Sequence, residues 1–142
     1  MFGIFDSKTK KLVKKWSKEH QQIVELAGSV IHAYTVNNEK KAKSALTKLS
    51  GLASSHFMNE DLEFFKLLRD GKLDPETTRS VKDFTEGFKK VKISLMSFFT
   101  KYSKPDIPLD DAFFKQFNEI VDAVGQRIAY EESNLYQLMA EK

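Results

Sequence analysis

The 142-residue sequence has no cysteine, three prolines, six glycines and no long uninterrupted apolar run. Without thiols there is no disulfide framework, no thiolate zinc site and no cysteine nucleophile, which leaves His, Asp, Glu and Tyr as the side chains able to hold a metal. The few breakers are clustered, and this argues against a chain of short strands and many turns. No apolar stretch approaches the roughly 20 residues that a bilayer-spanning helix needs. The N-terminus lacks the ordered charged, apolar and cleavage regions of a signal peptide, so a cytoplasmic protein without an integral membrane segment is expected. A block of one charge is also missing: 23 Lys and Arg face 20 Asp and Glu, for a formal net charge of +3. These lysines are scattered among acids and not interleaved with aromatics along a stripe, which speaks against nucleic-acid binding. With no Gly-rich phosphate loop and no Ser/His/acid arrangement in the sequence, an enzyme is not expected.

What the chain does contain is 41% hydrophobic residues, twelve of them Phe, enough for one domain (residues 1–142) with its own core. Apolar positions recur at helical period in four long stretches, which predicts helices at about 9–36, 39–70, 75–103 and 109–140 behind a short N-terminal arm (1–8). Phe2, Ile4 and Phe5 in that arm are read as packing over the bundle, with a basic membrane-surface anchor as the weaker reading. Asn38 is placed to cap the second helix, Gly71 to end it, and Asp74-Pro75 to start the third. Asp106 or Ile107 is read as preceding the fourth. Four helices of similar length joined by short loops predict an all-α, up-down-up-down antiparallel four-helix bundle.

The seams of these helices hold polar residues where a bundle would carry Leu or Ile. Leu49, Ala53, His56, Glu60, Phe64 and Leu67 share one face of the second helix, and His20 falls in the seam of Leu12, Trp16, Ile23, Ala27, Val30 and Tyr34. Glu131 lies in the seam of Phe117, Val121, Val124, Ile128, Leu135 and Leu138. His32 is on a different face. A buried carboxylate must be paired, neutralised or bound to a metal, and a buried imidazole needs a partner for each ring nitrogen. The two halves also overlay: His56 through Phe65 falls on Arg127 through Tyr136, with Glu60 on Glu131 and His56 on Arg127. In the first and third helices Trp16 falls on Phe84 and His20 on Phe88. A two-fold helix-pair repeat gathers these positions at mid-bundle.

On these residues the chain resembles the hemerythrin-like (HHE) family of four-helix bundles, from Trp16 to Glu141. The resemblance implies a metal centre in which His20, His56, Glu60 and Glu131 match family ligands, Glu132 being the alternative acid if the longer spacing in the fourth helix applies. It also implies that Phe84, Phe88 and Arg127 stand where three histidines of the other iron belong. The expected cofactor is iron, one ion rather than two, with manganese or zinc as substitutes.

Physically, two imidazoles and two carboxylates form an N₂O₂ set suited to one divalent ion. Arg127 can offer a guanidinium fork to the outer carboxylate oxygens, and Phe84 and Phe88 can fill the vacated volume. A second reading stands beside it, in which no metal binds and the same side chains form a buried ion-pair network. The first makes the protein a metal-binding molecule that binds or senses dioxygen, another small ligand or iron. The second makes it an interaction or regulatory module for a protein partner that the sequence does not identify.

Overall fold

The computed structural model describes the backbone of residues 2–71 and 73–137, with side chains from Lys10 onward in those ranges. It is an all-α antiparallel bundle, with no strand among the described residues. Helix α1 spans Phe2–Thr35 and α2 spans Glu39–Asp70. The third bundle position is shared by α3 (Pro75–Gly87) and α4 (Lys89–Tyr102), and the fourth holds α5 (Asp111–Tyr130) followed by a π-helical turn, Glu131–Leu135.

Most of the expected ends are built as the sequence suggested. The Asn38 side chain accepts the Lys41 N–H, Gly71 ends α2 at φ 63°, and Asp74 accepts the Thr77 N–H ahead of Pro75. Three expectations need correction. Residues 2–8, read as an arm, have helical backbone continuous with α1; the packing expected of Phe2, Ile4 and Phe5 lies outside the described side chains, as does Leu138 of the last seam. The fourth helix, expected from about 109, starts at Asp111 and is capped by Asp110, which accepts the Phe113 N–H at 2.9 Å. A carboxylate three residues before a free helical N–H is the stronger stop for the incoming chain.

The third correction matters for the site. The single helix expected over 75–103 is divided at Phe88, whose φ −91° and ψ −4° sit at the edge of the right-handed helical region while its N–H still bonds the Phe84 carbonyl. Gly87 is a weak helix former and supplies the soft point. The ring of Phe88 is seated 4.1 Å from the Arg127 guanidinium carbon.

Two apolar clusters fill the bundle. The larger one joins Ile23, Val30, Leu46, Phe57, Leu95, Phe98, Phe113 and Phe117 with their neighbours; the smaller joins Trp16, Phe64, Leu73, Val81, Leu135 and Tyr136. Between them, along α1, α2 and α5, lies a layer of buried polar side chains. The connection before α5 is tied from α2: Lys43 Nζ donates to the carbonyls of Tyr102, Lys104 and Ile107, and Glu39 accepts the Leu109 N–H. These ties hold the far end of α5 in place, and α5 carries Arg127 and leads into Glu131.

Candidate metal centre

His20, His56, Glu60, Arg127 and Glu131 are all at most 3% exposed. His20 and Glu60 occupy seam positions of α1 and α2 that face each other, and His56 is one turn from Glu60. Arg127 and Glu131 are one turn apart at the end of α5. The two imidazole rings meet edge to face with centroids 4.7 Å apart. Among the described residues, His20, His56, Glu60 and Glu131 form a group whose donor atoms all lie within 4.8 Å of one another. His32 is exposed and stands apart from it.

Arg127 closes one side of this group. Its Nε–H donates to Glu131 Oε2 at 2.9 Å and its Nη2–H to Glu60 Oε1 at 3.0 Å, with Asp61 Oδ1 at 3.5 Å. The guanidinium carbon also sits 4.4, 4.9 and 4.1 Å from the ring centroids of Phe57, Phe84 and Phe88. A guanidinium flanked by aromatic faces and forked onto two acids is held by both cation–π attraction and charge-assisted hydrogen bonds. Phe84 and Phe88 therefore fill the space that the sequence overlay assigned to them, and they form the wall behind Arg127. The fork takes Glu131 Oε2 and Glu60 Oε1, and leaves Glu131 Oε1 toward His20 and Glu60 Oε2 toward the Tyr136 hydroxyl.

On the other side, His20 Nε2 lies 3.0 Å from Glu131 Oε1, and His56 Nε2 lies 3.4 Å from Glu60 Oε1. The outer ring nitrogens are tied to acids: His56 Nδ1–H donates to Glu19 Oε1 at 2.7 Å, and His20 Nδ1–H to Glu132 Oε2 at 2.8 Å. A carboxylate only accepts, so each outer nitrogen must be the donor, and in the neutral ring each Nε2 then presents a lone pair inward. His56 Nε2 is fully buried and makes no well-formed hydrogen bond among the described residues, its contact with Glu60 Oε1 being 3.4 Å.

The alternative between Glu131 and Glu132 is thereby resolved. Glu131 points into the centre, while Glu132, with its side chain 46% exposed, reaches back to the outer nitrogen of His20. Two residues of the site were not singled out from the sequence. Glu19 stands three residues from Trp16 and four from Ile23, so seam periodicity alone would have flagged it. Tyr136 was concealed by the π turn. In a regular α-helix the residue above Glu131 is Leu135, but the turn from Glu131 to Leu135 adds one residue, and the Tyr136 N–H donates to the Glu131 carbonyl. The overlay of Tyr136 on Phe65 ends here: Phe65 is 62% exposed, whereas Tyr136 is buried with its hydroxyl in the cluster.

The charges in this layer are coupled. Burial raises Glu131, helped by the neighbouring Glu60, so that its pKa is pushed up to about 7. Burial would raise Glu60 as well, but hydrogen bonds from His56 and Glu131 and the charges of His56 and Arg127 outweigh it and hold the group well below the ordinary carboxylate range. Burial opposes the charged form of His20, yet its contacts with Glu131 and Glu132 raise its pKa above the ordinary value. Burial and the two adjacent acids push the Tyr136 phenol far upward. Two carboxylates this close share a proton when no cation is present.

A helical bundle with a buried histidine–carboxylate group at mid-height belongs to the class of bundle proteins that build metal sites from inward-facing side chains. The family model described as Hemerythrin HHE cation binding domain matches residues 11–139, and the chain belongs to that family. No curated protein and no solved structure matches the chain.

Proposed function

We propose that the protein binds a single first-row transition ion, iron before manganese or zinc, through His20, His56, Glu60 and Glu131, and that Arg127 takes the place of a second ion. The observation that carries this reading is the convergence of four buried side chains whose donor atoms lie within 4.8 Å of one another, with Glu19 holding the outer nitrogen of His56 so that Nε2 faces the other three. Glu19 and Glu132 orient the two imidazoles and raise their basicity, the outer-shell role that ligating histidines commonly require. Arg127 fixes both carboxylates by one oxygen each and offsets their charge.

When bound, the ion would supply an open coordination position for a small ligand and, if iron, a change of oxidation state. An apolar cavity of about 290 Å³, bordered by Ile23, Ala27, Gly28, Ala53, Val124 and Gly125, lies one helical turn from the centre and supports access by a small apolar ligand such as dioxygen. A dinuclear activity lacks its second set of ligands here, so the function we favour is sensing or carriage at one ion, in a cytoplasmic binding protein rather than an enzyme. Among the described residues no helix is long and apolar enough to cross a membrane.

Untagged protein loaded anaerobically with ferrous iron and passed through gel filtration should keep one iron per chain. The His56→Ala variant should keep far less. Wild-type protein that emerges without metal would decide for the buried ion-pair network and for a role as an interaction module.

A further inference from the structure

Among the described residues, the Tyr136 hydroxyl makes its polar contacts with His20, Glu60 and Glu131. It donates to Glu60 Oε2 and lies 3.2 Å from Glu131 Oε1 and 3.2 Å from His20 Nε2. Neighbouring ligands on one ion with bonds of about 2.1 Å are separated by about 3.0 Å in octahedral and about 3.4 Å in tetrahedral geometry. The separations of 3.0 Å between His20 Nε2 and Glu131 Oε1 and 3.4 Å between His56 Nε2 and Glu60 Oε1 fall in that interval, and so do both 3.2 Å separations of the Tyr136 oxygen. That oxygen is thus spaced from His20 and Glu131 as one more donor around a common centre would be, while its hydrogen bond to Glu60 Oε2 is closer than two ligands of one ion sit, so metal binding would draw those two oxygens apart.

The backbone is altered to put it there. The π turn Glu131–Leu135 adds one residue between Glu131 and the next inward position, and π turns of this kind occur frequently at functional sites. The ring stacks on His20 at 5.6 Å with a 12° interplanar angle and meets Trp16 at 5.7 Å.

Resting on the reading of His20, His56, Glu60 and Glu131 as metal ligands, we propose that Tyr136 is a fifth ligand, binding a trivalent ion as the phenolate. On binding, the Oη–H bond breaks, a metal–oxygen bond forms and the proton passes to solvent, while the ion keeps its oxidation state. A hard anionic oxygen beside two carboxylates favours ferric over ferrous iron, so the site is tuned to hold the oxidised ion. Only one chain residue, and no external reductant or oxidant, is needed for the step.

The test is to load wild-type protein and Tyr136→Phe with iron supplied as ferric nitrilotriacetate, remove the excess by gel filtration, and record iron content, visible spectrum and resonance Raman scattering. The wild type should hold one iron, show a phenolate-to-ferric charge-transfer band in the visible, and give phenolate ring modes that shift when the protein is grown on ring-deuterated tyrosine. Tyr136→Phe should lose the band while retaining iron at lower affinity, and should release one proton fewer per ferric ion bound. Iron held by the wild type without phenolate modes, or a band that survives in Tyr136→Phe, overturns the assignment of Tyr136 and leaves the four-ligand reading intact. A wild type that holds no iron overturns both. Should Tyr136→Phe fail to fold, the deuterium shift in the wild type decides alone, since a hydroxyl merely hydrogen-bonded to ligands gives no enhanced ring modes.

Discussion

Arg127 is the residue that tells a balanced charge layer from an incidental one. Its guanidinium is buried with aromatic rings on three sides, and although burial opposes its charge, Glu131, Glu60 and Asp61 outweigh that and raise its pKa above the ordinary value. Replacing it with leucine removes the fork from Glu60 and Glu131 and leaves two acids facing each other in the core. Breaking a buried pair in this way costs about 3 to 5 kcal/mol. The loss depends on pH through Glu131. Its folded pKa is raised from 4.5 to about 7, so its contribution to the stability of the metal-free fold is complete below 4.5 and disappears as pH rises through 7. Arg127→Leu should therefore lose more stability at about pH 8, where both acids are ionised, than at about pH 5, where Glu131 can take up a proton instead. Urea unfolding at the two pH values measures this. Equal midpoints for variant and wild type at the higher pH would mean that the guanidinium does not balance the acids.

At the level of the helices, the sequence carried most of the ends and most of the faces, because caps and seams are local chemistry. Asn38, Gly71 and Asp74-Pro75 do what their side chains and backbone preferences dictate. His20, His56, Glu60 and Glu131 were legible for the same reason, since polar residues at apolar period are conspicuous. Two departures from regular geometry were not legible. The division at Phe88 accompanies the contact of its ring with Arg127, and the π turn depends on how α5 packs against α1 and α2 at the centre. Both are set by tertiary contacts that a single helix does not encode, and the second concealed Tyr136. Glycine positions separate the two kinds of constraint. Gly71 has φ 63° at the end of α2, where a side chain is strained whatever the space, so Gly71→Ala should cost about 1 kcal/mol. Gly87 has ordinary φ, and a Cβ there would meet nothing within 4 Å. Gly87→Ala should stabilise the protein by about 0.4 to 1 kcal/mol. A loss in thermal unfolding instead would show that the interruption before Phe88 needs glycine and is not merely tolerated.

Across the whole molecule, the polar layer lies between two apolar clusters, and its two sides differ: one presents histidines and inward carboxylate oxygens, the other an arginine backed by aromatic rings. In the internal overlay the positions of the second side correspond to those of the first, with Phe84, Phe88 and Arg127 where the first has its ligands or their neighbours. Phe84 and Phe88 lie with rings nearly parallel and centroids 6.3 Å apart, and both face Arg127. Replacing Phe84, Phe88 and Arg127 together by histidine would set three imidazoles around the outer oxygens of Glu60 and Glu131, the two that the guanidinium now occupies. Removing the Phe rings costs several kcal/mol in the metal-free state, about 3 to 5 for each fully buried ring and less for the half-buried Phe84. Metal binding can restore much of this, because ligand binding to the folded state adds directly to its stability. The expected result is a variant that is weakly folded without metal, takes up two irons per chain under the anaerobic loading used for the wild type, and unfolds at a markedly higher temperature once loaded. A variant that folds yet holds one iron would place the fault at Phe88: the interrupted helix would then present the two new histidines out of register with the fourth helix, and the symmetry visible in the sequence would not extend to the geometry of the third.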